Sequence, residues 1–117
     1  MPLTTSCDPG DVVLVRFPFT DLSSHKKRPA VVVSPASYSA KHGDLIVVAL
    51  TSQPQADDSL RLDDWRAAGL IKATWIKPLL GTAAQTVVAK KLGGLTASDR
   101  RRIRDVLTQL IAGEFQP

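Results

Sequence analysis

Three short aliphatic runs constrain this chain more than anything else in it: Val12-Val13-Leu14-Val15, Ala30-Val31-Val32-Val33 and Leu45-Ile46-Val47-Val48-Ala49-Leu50. Branched side chains lose rotamer freedom in a helix and pack well on a pleated surface, so each run reads as a strand. The punctuation agrees. Pro9-Gly10-Asp11 is turn chemistry before the first strand, residues 12–17, and Pro18 stops it. Pro35 ends the second, residues 29–33. His42-Gly43-Asp44 turns the chain into the third, residues 45–50, which gives way to the polar Thr51-Ser52-Gln53-Pro54. The second run is almost continuously apolar, as a strand covered on both faces would be.

The rest of the chain fits the same architecture. Residues 19–27 are polar and read as a loop. Residues 59–62 read as a short strand, residues 63–68 as one helical turn closed by Gly69, and residues 70–77 and 86–92 as further strands, the last ended by Gly93-Gly94. The one clear helix comes last. Thr96 and Asp99 resemble a capping box, with Asp in place of Glu or Gln. Ile103, Val106, Leu107, Leu110 and Ile111 fall on one face, the arginines lie mainly opposite, and Gly113 is a stop. Five to seven short strands with one C-terminal amphipathic helix predict a mainly β fold: a small barrel or strongly bent sheet with the helix packed against it. At 117 residues the chain reads as one domain, 1–117, with residues 1–9 as a flexible N-terminal tail.

Composition narrows the function classes. The chain is 44% hydrophobic and 22% charged, as globular domains are. No apolar run is long enough to cross a membrane and no secretory signal precedes the fold, so a cytoplasmic protein with no membrane partner is expected. The single cysteine, Cys7, has no partner for a disulfide or a zinc pair. The two histidines, His25 and His42, show no metal-binding spacing, and no glycine-rich nucleotide loop occurs; neither a metal nor a cofactor is expected. The net charge of +4 suits a polyanionic partner.

Two places can carry chemistry. One is His25-Lys26-Lys27-Arg28, a cationic cluster at the start of the second strand, where the planar guanidinium of Arg28 suits a phosphate. The other is Thr51-Ser52, a pair of hydroxyls at the end of the third strand. If these strands pair antiparallel, the start of one lies beside the end of the other, and Arg28 and Thr51 come to one edge of the sheet. Each feature also has an ordinary structural reading: a solvated loop, a strand-end turn, a plain surface histidine. The arginines of the last helix read equally as a solvated face, and Trp65 and Trp75 as packing residues.

The order and spacing of several stretches resemble the MazF/PemK family of toxin–antitoxin toxins. They are Gly10-Asp11-Val12-Val13-Leu14-Val15, Arg28-Pro29-Ala30-Val31-Val32-Val33-Ser34, Val48-Ala49-Leu50-Thr51-Ser52, Gly69-Leu70-Ile71-Lys72-Ala73-Thr74-Trp75-Ile76-Lys77-Pro78 and, after Thr82, Lys91-Leu92-Gly93-Gly94-Leu95. The resemblance implies a compact SH3-like β-barrel with a C-terminal helix, a homodimer, metal-independent cleavage of single-stranded RNA, and a cognate antitoxin protein as partner. It implies that Arg28 and Thr51 are catalytic and that Thr74, standing where the family has a small hydroxyl residue, contacts the RNA, as does His25. The family's loop glycine and glutamate are absent from Ser23-Ser24-His25-Lys26-Lys27, and no carboxylate stands near Lys77-Pro78-Leu79.

In such a reaction the 2′-OH attacks the adjacent phosphorus, leaving a 2′,3′-cyclic phosphate and a 5′-OH end. Arg28 would stabilise the equatorial oxygens, Thr51 would bond a phosphate oxygen, and His25 is a candidate base. Lys26, Lys27, Ser52, Gln53 and Lys77 are candidates for phosphate or base contacts. Two other readings stay open: a gyrase poison of the CcdB type with the same barrel, which binds a protein and cuts nothing, and an SH3-like RNA-binding module without chemistry.

Overall fold

In the computed structural model, which describes residues 7–16 and 27–113, five strands form one antiparallel sheet. They are β1 (Asp11–Arg16), β2 (Lys27–Val32), β3 (Asp44–Thr51), β4 (Trp75–Ala84) and β5 (Val88–Gly94), in the spatial order β4-β3-β2-β1-β5. Helix α1 (Ala36–His42) joins β2 to β3, and α2 (Ala97–Leu110) follows β5. The mainly β fold with its C-terminal helix is the one expected. The ladder is open, with β4 and β5 as edges, and the barrel-like form comes from bending.

The bend has local causes. The register shifts between Val12 and Val13 and again between Leu14 and Val15 where β1 meets β5, and between Val48 and Leu50 where β3 meets β4. Such irregularities add twist and curl a strand. Apolar side chains of all five strands then meet on one face: Val13 and Val15, Ala30 and Val32, Leu45, Val47 and Ala49, Leu79, and Val88. The opposite face buries Val12, Val31, Val48, Leu50 and Ile76 against Leu62, Ala68, Leu95, Ile103 and Val106. The continuous run in β2 is thus split between two cores, Val31 facing one and Ala30 and Val32 the other.

Several elements differ from expectation for identifiable reasons. α1 has no apolar periodicity to announce it, and of its residues only Ser39 is buried. The short strand expected at 59–62 is a 3₁₀ turn, Asp58–Leu60, with a single bridge from Arg61 to Trp75. Asp57 imposes the turn, its carboxylate accepting from the Ser59 hydroxyl (2.6 Å) and the Ser59 N–H (2.9 Å). Those bonds hold the Asp57 carboxyl below the usual carboxylate range. The strand expected at 70–77 begins only at Trp75, and that expected at 86–92 begins at Val88 and runs through both glycines to Gly94. Residues 17–26, most of the expected loop, lie outside the described residues, and β2 already begins at Lys27.

Helix α2 starts as expected: the Thr96 hydroxyl accepts from the N–H of Asp99 at 3.4 Å. The Asp99 carboxylate, however, does not return to the cap. It is fully buried and accepts the backbone N–H groups of Asp63 (2.8 Å) and Asp64 (3.0 Å), which ties the long β3–β4 connection to the helix. The apolar stripe packs through Ile103, Val106 and Leu107, whereas Leu110 and Ile111 are 39% and 64% exposed. The N-terminal tail expected through residue 9 is anchored from Cys7 onward. Cys7 is fully buried in the core, and the N–H of Gly10 donates to the Val32 carbonyl at 2.8 Å.

Replacing Asp99 with Ala leaves two partly buried N–H groups without acceptors and is expected to cost about 2–4 kcal/mol. Urea titration would show a lowered midpoint at unchanged slope. Asp99→Asn keeps one acceptor oxygen and should fall between; an Ala variant as stable as wild type would remove the tie's importance. Burial, reinforced by the charge of Asp11, pushes the Cys7 thiol up from its ordinary value. Because the thiolate is the reactive form, a disulfide reagent at neutral pH should label Cys7 about a hundredfold more slowly in the native chain than in urea. Equal rates would mean that the N-terminal anchor opens freely.

Candidate functional site

The site is set by how β2 and β3 align. They pair antiparallel, with Ala30 opposite Ala49 and Val31 opposite Val48. Continuing that register by two residues brings Arg28 level with Thr51. The neighbouring ladders extend the row: Arg28 is opposite Val15 of β1, and Thr51 is opposite Trp75 of β4. The ends of the two central strands flank a cleft of about 670 Å³. Its polar lining is Lys27, Arg28, Thr51, Ser52, Gln53, Lys72, Thr74 and Lys77, and its apolar lining includes Leu14, Leu50, Leu70, Ile71, Leu79 and Leu92.

The electrostatics are one-sided. Among the described residues four cations line the cleft and no acidic residue does. Among the described residues none of the four pairs with a carboxylate. The arginines of α2 contrast with them. Arg100 donates to the carbonyls of Leu95 and Pro9, both at 3.1 Å. Arg102 donates to the Ser59 carbonyl at 2.6 Å and to the Asp63 carboxylate at 3.0 Å. Those two guanidiniums are engaged in holding the fold, while Arg101 and Arg104 are exposed.

The hydroxyls differ in what they can offer. The Thr51 oxygen accepts from the N–H of Gln53 at 3.1 Å, and Gln55 in turn donates its side-chain amide to the Gln53 carbonyl at 3.0 Å. The Thr51 oxygen is thereby fixed in place while its own proton stays available for a bound acceptor. Thr74 is in the opposite condition: it is only 3% exposed, and its hydroxyl donates to the Lys72 carbonyl at 2.9 Å. Lys77 sits in the β4 irregularity, where Val48 pairs with Leu80 and Leu50 with Ile76, so Ala49 alone spans residues 77–79. Pro78 cannot donate to a ladder and belongs on an edge strand such as this one.

The second wall of the cleft comes from the β3–β4 connection. Its turn at residues 65–70 closes with the N–H of Leu70 donating to the Trp65 carbonyl (3.1 Å) and that of Gly69 to the Arg66 carbonyl (3.0 Å), with Gly69 at φ +81°. This is a Schellman closure, as the helical turn ended by Gly69 anticipated. A side chain at Gly69 would overlap the Leu92 carbonyl, and a Cβ at Gly93 would lie 2.7 Å from the Ala68 carbonyl carbon. The two glycines let the turn lie directly against β5, so that residues 70–72 reach the cleft.

Of the residues singled out from sequence, Arg28, Lys27, Thr51, Ser52, Gln53, Thr74 and Lys77 all line this one cleft. His25 and Lys26 lie outside the described residues. His42 belongs to α1, its ring 4.6 Å from that of Tyr38, and is not part of the lining. Lys72 was missed: within a presumed strand it looked like one more alternating polar residue, and only the turn made by Gly69 and Thr74 turns it toward the site.

Comparison with known proteins identifies the fold and the family. The family of PemK-like, MazF-like toxins of type II toxin–antitoxin systems matches residues 8–111. No curated protein sequence matches the chain. Among solved structures, a MazF from Deinococcus radiodurans shares 21% identity over 93% of this chain and 99% of its own, with a TM-score of 0.73. An endoribonuclease from a mycobacterial species, solved with its cognate antitoxin, shares 16% over 97% and 100%, with a TM-score of 0.67. The Mycobacterium tuberculosis toxin MazF-mt6 shares 13% over 90% and 99%, with a TM-score of 0.68. At these identities the structures establish a shared fold. The family match over nearly the whole chain establishes more: this protein belongs to the PemK-like, MazF-like toxins of type II toxin–antitoxin systems.

Proposed function

We propose that the chain is a metal-independent endoribonuclease that cuts single-stranded RNA at short sequences, with Arg28 and Thr51 as its catalytic residues. The observation that carries this reading is the cleft itself. It combines an arginine and a fixed threonine hydroxyl at adjacent strand ends with three further cations and, among the described residues, no acidic one. Such a lining attracts a polyanionic backbone and favours the extra negative charge of a phosphorane.

In the proposed reaction the 2′-oxygen of a ribose attacks the neighbouring phosphorus and loses its proton. The bond from phosphorus to the 5′-oxygen breaks, and that oxygen takes up a proton. The products carry a 2′,3′-cyclic phosphate and a 5′-OH. A guanidinium is a poor proton donor, so the role of Arg28 is to hold and neutralise the equatorial oxygens. Thr51 donates its hydroxyl proton to one of them. His25 is the candidate to accept the 2′ proton, on its chemistry alone. Lys27, Lys77, Ser52 and Gln53 hold the flanking strand, with Lys26 as a further phosphate contact.

We further propose a homodimer, inhibited by a cognate antitoxin whose acidic and apolar segment occupies the cleft. The apolar wall of Leu14, Leu70, Ile71 and Leu92 beside the cations suits such a segment.

Incubation of a long single-stranded RNA in EDTA with wild type is expected to give discrete fragments ending in cyclic phosphate. Arg28→Ala should slow cleavage by about a hundredfold or more. Cleavage by Arg28→Ala at the wild-type rate would remove Arg28 from the mechanism. Salt-dependent RNA binding by wild type without any products would favour a binding module over an enzyme.

A further inference from the structure

We infer that Lys72 is a substrate-binding residue of this cleft, contacting a phosphate that flanks the scissile one, and that Thr74 is the positioning residue that aims it. The inference rests on the reading of the cleft as an RNA-cleaving site. Lys72 lines the cleft from a segment separate from the strand ends that carry Arg28 and Thr51. Its side chain is exposed, and no carboxylate among the described residues neutralises it. A lysine on a flexible stem contributes to binding only in proportion to how well its backbone is held. Here the backbone is held at both ends. On the N-terminal side the Schellman turn at Gly69 lies against β5. On the C-terminal side the buried Thr74 hydroxyl donates to the carbonyl of Lys72 itself at 2.9 Å.

That bond also decides what Thr74 does. Its one proton is committed to the Lys72 carbonyl and its oxygen is almost wholly covered, so it has no donor left for RNA. Thr74 lines the cleft yet acts on the substrate through Lys72. Between Gly69 and Lys72, Ile71 lines the same cleft and is 91% exposed, an apolar side chain left open to solvent. The wall thus presents one apolar group and one cation side by side, a pairing that suits a nucleotide, with its base or ribose on Ile71 and its phosphate on Lys72.

The test uses wild type, Lys72→Ala, Thr74→Val, Thr74→Ser and the Lys72→Ala/Thr74→Val double variant. The readouts are kcat and KM on an RNA carrying the mapped cut sequence, and Kd for its uncleavable 2′-deoxy analogue across a salt series. Lys72→Ala should raise KM and Kd on the order of fivefold to tenfold with kcat nearly unchanged. It should also reduce the slope of log Kd against log salt by about 0.7, the share of one phosphate contact on a single strand. Thr74→Val should reproduce both effects in weaker form, Thr74→Ser should restore wild-type values, and the double variant should be no worse than Lys72→Ala alone. Wild-type KM and salt slope in Lys72→Ala would overturn the assignment of Lys72. An equal further loss from Thr74→Val in the Lys72→Ala background, or a fall in kcat with KM unchanged, would overturn the positioning role. Should Thr74→Val prove poorly folded by its thermal transition, the Thr74→Ser and Lys72→Ala arms still decide the matter. A wild type that binds RNA and cuts none defeats the endoribonuclease reading instead, and the Kd arm then judges Lys72 alone.

Discussion

The antiparallel pairing of β2 with β3 is the constraint from which the site follows. These are central strands, each hydrogen-bonded on both sides, and their side chains are buried on both faces. A slip of one residue would exchange the side chains that the two cores receive and break the packing of each, so the register is strongly specified. With Ala30 fixed opposite Ala49, the residues two places outward have no freedom over which strand end they share. Arg28 and Thr51 are neighbours because of the hydrophobic pattern several residues away. The core is the reason the polar ends can be placed without any polar contact between them.

The second wall depends on a different kind of interaction. The connection from Thr51 to Trp75 contains two short turns and little regular structure, and apolar contacts through Leu60, Leu62, Trp65, Ala68 and Leu70 anchor it between residues 60 and 70. Asp99 adds the directional component. Its carboxylate bonds two consecutive N–H groups of that connection, and Arg102 reaches from the same helix to Ser59 and Asp63. The first turn of α2 therefore helps locate a segment that ends in the cleft. Helix and cleft lie on different parts of the fold, but the second wall is placed partly by the helix.

This division explains what the sequence made legible. Strand identity, the paired ends of β2 and β3, and the start of α2 follow from patterns that are local: β-branched runs, turn residues, a capping threonine. Arg28 and Thr51 were legible because a strand's end can be found from its apolar run and the pairing inferred from the short connection. Helix α1 was not, because its single buried residue is a serine. Lys72 was not, because its orientation depends on Gly69 packing on Leu92 and on Thr74 reaching back two residues, and neither contact leaves a periodic trace. Asp99 was visible as a capping residue but was given the wrong partner, since the N–H groups it accepts lie 35 and 36 positions away.

The placement of charge carries the same lesson further. The chain has 15 lysines and arginines, and the densest run of them is in α2. By composition that run is the natural track for a polyanion. Physically, half of it is occupied: Arg100 and Arg102 each commit two N–H donors to backbone carbonyls or to Asp63, which fixes their guanidiniums against the fold. The cleft cations come from three separate segments, the start of β2, the β3–β4 connection and β4, and no two segments contribute adjacent residues. A field assembled this way exists only in the folded chain. Because its members come from separate segments, an RNA bound as proposed would meet different elements at the phosphate nearest Arg28 and at the phosphates on either side of it. Under that proposal, loss of one flanking cation would weaken grip on the strand and leave the residues at the scissile phosphate in place, so that binding and chemistry could vary independently.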